Sequence, residues 1–248
     1  MKKSDVIPEK RCRIVVWNIA WRRLVSPAGA KIRARIDRLR PDVICVTEGH
    51  TDFFPRRGEM VAAVADYGYS PQPGRRKVML WSRQPWSAVD RLGDRQMPTG
   101  RFVVGETQTP LGPVRMAGLC IPWSHAHVAT GRRDRKIWQD HQTYLFGLEH
   151  FLGRESFEIP TILAGDFNQT IPRSRAPMPL YEQLIATLAP SFNVATAGQL
   201  AKFKKPPIDH LAATTELAAA SIRPIPNLER SGKQLSDHIG LCIDMVRA

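Results

Sequence analysis

Asp166 and Asn168 stand on either side of Phe167 at the end of an apolar run, in TILAGDFNQTI at 161–171. Side chains alternate along an extended chain, so residues two apart share a face and these two can point into one space. Two carbonyl-bearing side chains at a sheet's edge can hold a water, a phosphate or a metal-bound ligand. The pattern is also good turn chemistry, with Gly and Asn supplying unusual backbone angles and Asp bonding nearby amides. By itself the motif leaves both readings open.

Other strand ends carry similar residues. Asn18 closes RIVVWN, and Glu48 closes DVICVTE on the face of Ile44 and Val46. Asp209 lies in PIDHLAAT, and Asp237 with His238 opens the last strand in LSDHIGL. Each has an ordinary explanation as a turn residue, a surface acid or a cap. One shared site explains them all more economically than a separate reason for each.

The elements that must position these residues are mixed. Period-two or continuous apolar runs predict strands at 13–18, 42–48, 77–82, 101–107, 114–121, 208–213 and 239–245, besides the run ending at Asp166. QTPLGP reads as a hairpin turn. Ile32, Ile36 and Leu39 fall on one helical face within 31–40, and Trp138, His141, Leu145, Leu148 and Leu152 recur at steps of three and four. His141 therefore belongs to a buried stripe. Further helices are expected around Glu59 to Tyr67 and Leu180 to Leu188. Helices and antiparallel hairpins distributed in this way suggest sheets packed face to face with helices outside.

With 248 residues and 43% hydrophobic content the chain can bury a sizeable core. No Gly/Ser-rich or charge-dense stretch divides it, so one domain over 1–248 is expected. Cys12, Cys45, Cys120 and Cys242 are scattered without zinc spacing and read as buried thiols in a reducing compartment. The first residues, MKKSDVIPEKRCR, lack the apolar stretch of a signal peptide, and no run is long enough to span a membrane. A cytoplasmic address is expected. Lys and Arg outnumber Asp and Glu by 36 to 23, a formal net charge of +13, concentrated at 31–40, 132–136 and 202–206. Such a surface favours phosphate-bearing partners, although a basic face kept for solubility accounts for the same charge.

The blocks VVWN, PDVICVTE, AGDFN, IDHL and SDH, in this order between residues 15 and 238, resemble the endonuclease/exonuclease/phosphatase superfamily. The resemblance implies a four-layer α/β sandwich, two mostly antiparallel sheets between helices, with the site at the loop-bearing end. It implies metal-dependent in-line hydrolysis of a phosphoester. Carried over by position, Glu48 is the chief ligand of a divalent cation, Mg²⁺ or alternatively Mn²⁺, with Asn18 and Asp237 nearby or bound through water. Asp166 orients or deprotonates the attacking water, and Asn168 fixes the phosphate and nucleophile. His238 contacts a phosphate oxygen, and Asp209 holds its ring.

Three departures accompany the resemblance. Thr47 replaces the usual Gln before the metal-binding Glu. Cys120, in GLCIPWSHAH, stands where relatives carry Tyr or His near the phosphate. IAWRRLV follows Asn18 in place of an abasic-site endonuclease block. Cysteine is too short to replace the larger side chain, and His125, in the loop beyond, is a candidate for the missing donor, with an exposed loop histidine as the plain alternative. Of the other histidines, His210 reads as packing and His50 as a loop residue. Trp21 and Trp123 are candidates to stack on a ring at the site mouth, whereas Trp17 reads as core. The expected activity is phosphodiester hydrolysis in nucleic acid. Hydrolysis of a small phosphate ester or lipid headgroup is the alternative, and nucleic-acid binding with a silent site is disfavoured by the complete polar set.

Overall fold

The computed structural model describes residues 10–198, 200 and 206–248. In chain order the first elements are β1 (Cys12–Asn18), α1 (Pro27–Leu39), β2 (Val43–His50), β3 (Glu59–Ala62), β4 (Arg75–Ser82), β5 (Trp86–Asp90), β6 (Phe102–Thr109) and β7 (Gly112–Cys120). There follow α2 (Gln139–Gly153), β8 (Thr161–Asp166), α3 (Met178–Leu188), β9 (Phe192–Val194), β10 (Asp209–Thr214), β11 (Leu217–Ile225) and β12 (Gly240–Arg247).

The strands form two six-stranded sheets, ordered β11-β12-β1-β2-β4-β3 and β5-β6-β7-β8-β10-β9. Each sheet has one parallel pair, β1 with β2 and β7 with β8, and these pairs require the helical crossovers α1 and α2. Alternation along the strands sorts the apolar residues into three layers. Ile14, Val16, Cys45, Leu80, Met116, Ile162, Leu211 and Ile243 fill the space between the sheets. Val15, Trp17, Ile44 and Met79 point the other way and meet Ile32 and Ile36 of α1. Phe102, Leu119, Leu163 and Ala212 meet Leu145, Leu148 and Phe151 of α2 and Leu184 of α3. Helix, sheet, sheet and helix thus stack as four layers.

The helix expected around Glu59 to Tyr67 does not form. Val61 and Ala63 turn into the inter-sheet core while Met60 and Ala62 pack against the outer layer. That alternation serves an edge strand paired with β4, and sheet pairing overrides the helix preference of the alanines. α1 begins four residues earlier than its apolar spacing suggests, at Pro27, capped by Ser26, whose Oγ accepts from the Gly29 amide at 3.1 Å. All four cysteines are buried and unpaired by disulfides. Among the described residues no helix is long and apolar enough to cross a membrane.

The basic cluster at 31–40 lies on α1, outside the first sheet, where Lys31 pairs with Glu229, Arg33 with Asp37, and Arg35 bonds backbone carbonyls. The cluster at 202–206 falls outside the described residues except for Pro206.

Candidate active site

The polar strand ends converge at one edge of the inter-sheet layer. Across the second sheet, Cys120 is the register partner of Asp166, and Asp166 is the partner of Asp209. Register partners share a face, so the three side chains form a row that continues the inner face of the sheet. The Cys120 amide donates to the Arg101 carbonyl at 3.0 Å, which extends the β6–β7 register and adds Arg101 to the row. Facing them across the layer, Asn18 ends β1 beside Thr47 of β2.

Gly165 makes the end of β8 possible. It sits at φ +139°, and a Cβ there would lie 2.0 Å from the Leu119 carbonyl oxygen. Asp166 follows, 3% exposed. Its Oδ2 accepts from Asn18 Nδ2 at 3.0 Å, a bond between the two sheets, and its Oδ1 accepts from the Asn168 amide at 2.9 Å. Asn168 has left the strand, at φ +53°, and its Nδ2 donates to the Ile121 carbonyl at 2.8 Å. Thus the turn chemistry and the polar site are the same feature. Asp166 does the local bonding of a turn while its side chain faces the opposite sheet.

His238 and Asp209 form the second inter-sheet pair. Nδ1 of His238 lies 2.5 Å from Asp209 Oδ2. Burial disfavours the imidazolium, but the charge and hydrogen bond of Asp209, supported by Asp166 and Asp237, raise its pKa to about 10. Asp166 moves in the direction expected of a desolvated acid. Burial, reinforced by Asp209 and Glu48 and opposed by His238 and the Asn18 bond, raises it to about 7. Burial and the neighbouring carboxylates thus act in the same direction on Asp166 and in opposite directions on His238.

Glu48 departs from the strand geometry its position suggests. It adopts φ +49°, and β2 resumes beyond it to His50, which is a buried strand residue instead of a loop residue. Glu48 Oε1 accepts from Lys77 Nζ at 2.6 Å. The Glu48 carbonyl accepts from the Trp21 amide at 2.6 Å, tying the loop after β1 to the same site.

A sequence model of the Endonuclease/Exonuclease/phosphatase family matches residues 15–238. The chain belongs to this family. Its members are phosphoesterases that use divalent metal ions. Solved structures agree on the fold. An endonuclease/exonuclease/phosphatase from Beutenbergia cavernae DSM 12333 is 18% identical with a TM-score of 0.66, over 97% of this chain and 72% of that one. An AP endonuclease from Archaeoglobus fulgidus is 15% identical with a TM-score of 0.67, over 94% and 98%. A humanized D. rerio TDP2 is 12% identical with a TM-score of 0.69, over 95% and 99%. No curated protein matches the sequence.

The donor set suits the family's metal. Ligand atoms of Asp166, Asp209 and His238 lie within 4.8 Å of one another, and Asp209 Oδ1 is buried with no partner among the described residues. His238 Nδ1 and Asp209 Oδ2 already engage each other, and the carboxylates of Glu48 and Asp237 supply the oxygen donors that match a hard divalent ion. Asp237 stands just before His238, with Ser236 Oγ 3.4 Å from its Oδ1.

Of the residues singled out from sequence, Asn18, Asp166 and Asn168 form one hydrogen-bonded set and Asp209 with His238 a second, linked by Ser236 Oγ, which donates to the Asn18 carbonyl and accepts from the His238 amide, and Glu48 acts on Asp166 by charge. His125 is exposed: its Nδ1 is 2.9 Å from Ser124 Oγ and its ring tilts against Trp123 at 5.2 Å. His210 and His141 are core groups, as their positions in the pattern suggest. Burial pushes the Cys120 thiol up to about 12, with the nearby acids and cations as smaller influences, so it remains protonated.

Two cations at the site were not singled out in the sequence. Lys77 sits within the apolar-looking KVMLWS, and Arg101 precedes FVVGET; isolated basic residues beside strands carry no local signal. Arg101 is 1% exposed, and its Nε and Nη2 have no hydrogen-bond partner among the described residues. Its Nη1 reaches the Cys120 carbonyl only at 3.5 Å.

Proposed function

We propose that this chain hydrolyses phosphodiester bonds in nucleic acid by metal-assisted in-line attack at phosphorus. The observation that carries this reading is the convergence from facing sheets of Asp166, held by Asn18, and His238, paired with Asp209, with ligand atoms of Asp166, Asp209 and His238 within 4.8 Å of one another. Asp166, held by Asn18 and by the Asn168 amide, takes a proton from the attacking water. His238 donates from Nε2 to a non-bridging phosphoryl oxygen, while Asp209 fixes its ring through Nδ1 and maintains its charge. Asn168 orients the phosphate and the nucleophile. Glu48 would be the chief ligand of a Mg²⁺ or Mn²⁺ ion, with Asp237 as a second ligand, and Asn18 acts through Asp166 as a positioning residue. Bound there, the cation supplies Lewis-acid stabilisation of developing phosphoryl charge.

Cys120 leaves a gap in this arrangement, and Arg101 fills it better than His125 does. Arg101 shares the inner-face row with Cys120 and Asp166 and retains two unsatisfied donors. A guanidinium with free N–H groups is suited to phosphate oxygens. His125 already has partners in Ser124 and Trp123.

Nucleic acid is preferred as substrate because Arg132 and Arg133, from the cluster at 132–136, line a cavity with Lys77, the residue that holds Glu48. A panel of single- and double-stranded DNA, RNA, inositol phosphates and sphingomyelin, each with Mg²⁺ and with excess chelator, tests the reading. The expected result is chelator-sensitive cleavage of nucleic acid. Turnover confined to a small ester or lipid headgroup would transfer the same chemistry to that substrate, and full activity in chelator would overturn it.

A further inference from the structure

A cavity of about 670 Å³ has Trp21, Tyr67, Tyr69 and Trp123 among its lining, together with Lys77, which binds Glu48. Both tryptophans are tied to site residues. The Trp21 amide donates to the Glu48 carbonyl at 2.6 Å, and Trp21 adopts φ +60° directly after Ala20 at φ +48°. Two consecutive left-handed non-glycine residues are costly, and the loop holds them in place beside Glu48. Trp123 follows Ile121 by two residues, and Ile121 bonds both Asp166, through its amide at 2.9 Å, and Asn168, through its carbonyl.

The aromatic groups form a continuous series. Trp21 stacks on Tyr67 with centroids 5.7 Å apart, Tyr67 meets Tyr69 at 5.7 Å, and Tyr69 meets His127 at 4.5 Å. His127 is anchored in turn, its Nδ1 2.5 Å from Asp140 Oδ2 in the first turn of α2. Tyr69 is therefore held before any ligand arrives. Cations are interleaved with the rings: Arg75 and Lys77 lie 4.9 and 5.1 Å from the Trp21 centroid. Trp123 differs from these rings in being 46% exposed, a large indole kept in water at the rim.

We propose that this cavity receives an unpaired nucleobase next to the scissile phosphate, with Trp123 as its stacking platform and Arg132 and Arg133 on the adjoining phosphate. The inference rests on reading the acid cluster as a phosphodiesterase centre and narrows its substrate to single-stranded or frayed nucleic acid. Aromatic faces interleaved with cations match a chain of flat rings joined by anions. A base already stacked and paired in a duplex has no free face to offer. The volume falls in the range of small-ligand pockets, roughly 300–1,000 Å³, the scale of a single nucleotide.

Fluorescence anisotropy tests this with a labelled short single strand, the duplex of the same sequence, and the strand with one abasic site. Binding is measured to Asp166→Asn protein in Mg²⁺ and to the unaltered protein in chelator. The single strand should bind at least fivefold more tightly than the duplex. Trp123→Ala, a change at an exposed position, should weaken single-strand binding at least fivefold, in keeping with the stacking contribution of one base, and Trp123→Phe should restore most of it. Equal losses for strand and duplex, or no loss for either, would overturn the proposal. Absence of hydrolysis of any phosphodiester, with single-strand discrimination retained, would instead remove the catalytic reading and leave the base pocket standing.

Discussion

His238 Nδ1 and Asp209 Oδ2 lie 2.5 Å apart, and this bond closes the site end of the molecule by joining β10 of one sheet to the segment entering β12 of the other. The imidazolium is formed against the cost of burial because three acids surround it. A raised histidine pKa stabilises the fold fully below its unfolded value of 6.5, and that contribution is lost as pH rises through about 10. Asp209→Asn should therefore lower the His238 pKa by at least one unit, read from imidazole proton shifts in an NMR titration. An unchanged titration would remove Asp209 as the source of the charge.

Asp166→Asn should reduce turnover by ~10²–10⁴-fold, the usual contribution of a positioned base, and should also raise thermal stability at pH 8. Asn carries no charge and keeps one acceptor oxygen, enough for Asn18 Nδ2 or the Asn168 amide but not for both, a smaller loss than the cost of the buried charge at high pH. The folded-state pKa is raised, so ionising Asp166 costs stability progressively as pH climbs from 3.8 through about 7. Removing the ionisable group removes that cost. Thermal melts at pH 5 and pH 8 should show a larger gain at the higher pH; an equal change at both would contradict the assigned ionisation.

Glu48→Gln should raise the Mg²⁺ concentration required for half-maximal activity at least tenfold, because a neutral amide is a weaker ligand for a hard cation. The substitution also strands the Lys77 ammonium, which is buried and bonded to Glu48 Oε1 at 2.6 Å. Glu48→Gln with Lys77→Met separates the effects: stability should recover in the double variant while the metal requirement stays high. Recovery of normal metal dependence would show that Glu48 serves Lys77 and not the cation.

His141 and His210 should make the fold sensitive to acid well above the carboxylate range. Both are buried, and desolvation lowers each pKa to about 4. Their bonds suit neutral rings: His141 Nδ1 donates to the Pro122 carbonyl at 2.7 Å, and His210 Nε2 to the Gln169 carbonyl at 3.0 Å. In the unfolded chain they protonate near 6.5, so stability present above that pH is lost as pH falls toward 4, on the order of a few kcal/mol in total. Urea melts between pH 7 and 4 should show this slope, reduced in His141→Gln by about one proton.

The site was legible where a strand's apolar run ends abruptly in a polar group. Asn18, Asp166 and Asp209 are such cases, and the ordered blocks around them carried the four-layer fold. Short or edge elements were not legible. β9 has three residues, β5 is largely exposed, and β11 is alanine-rich with a bulge between Ala219 and Ser221. Alanine likewise made 59–67 resemble a helix until pairing with β4 decided it. Net charge did not distinguish the clusters: the one on α1 lies outside the first sheet, whereas Arg132 and Arg133 line a cavity with Lys77. Arg101 was hidden for a different reason: an arginine before a strand reads as solvent-facing, and only the register with Cys120 turns it inward.

Arg101 yields the sharpest test of how the Cys120 gap is filled. A guanidinium 1% exposed with Nε and Nη2 unpaired is destabilising unless a ligand satisfies it. Its backbone is well held, with the carbonyl accepting from both the Cys120 amide and the Tyr144 hydroxyl at 3.0 Å, so the side chain can change without releasing the strand. Arg101→Met keeps much of the apolar stem and removes the charge. It should leave thermal stability unchanged or higher, because replacing unsatisfied buried polar groups by apolar ones is often favourable. Turnover should fall at least tenfold, which corresponds to about 1.4 kcal/mol of transition-state stabilisation. His125→Ala, measured in parallel, should alter turnover less than threefold, and Cys120→Ser should affect stability more than rate. A normal rate in a stable Arg101→Met protein, combined with a tenfold loss in His125→Ala, would return the donor role to the loop.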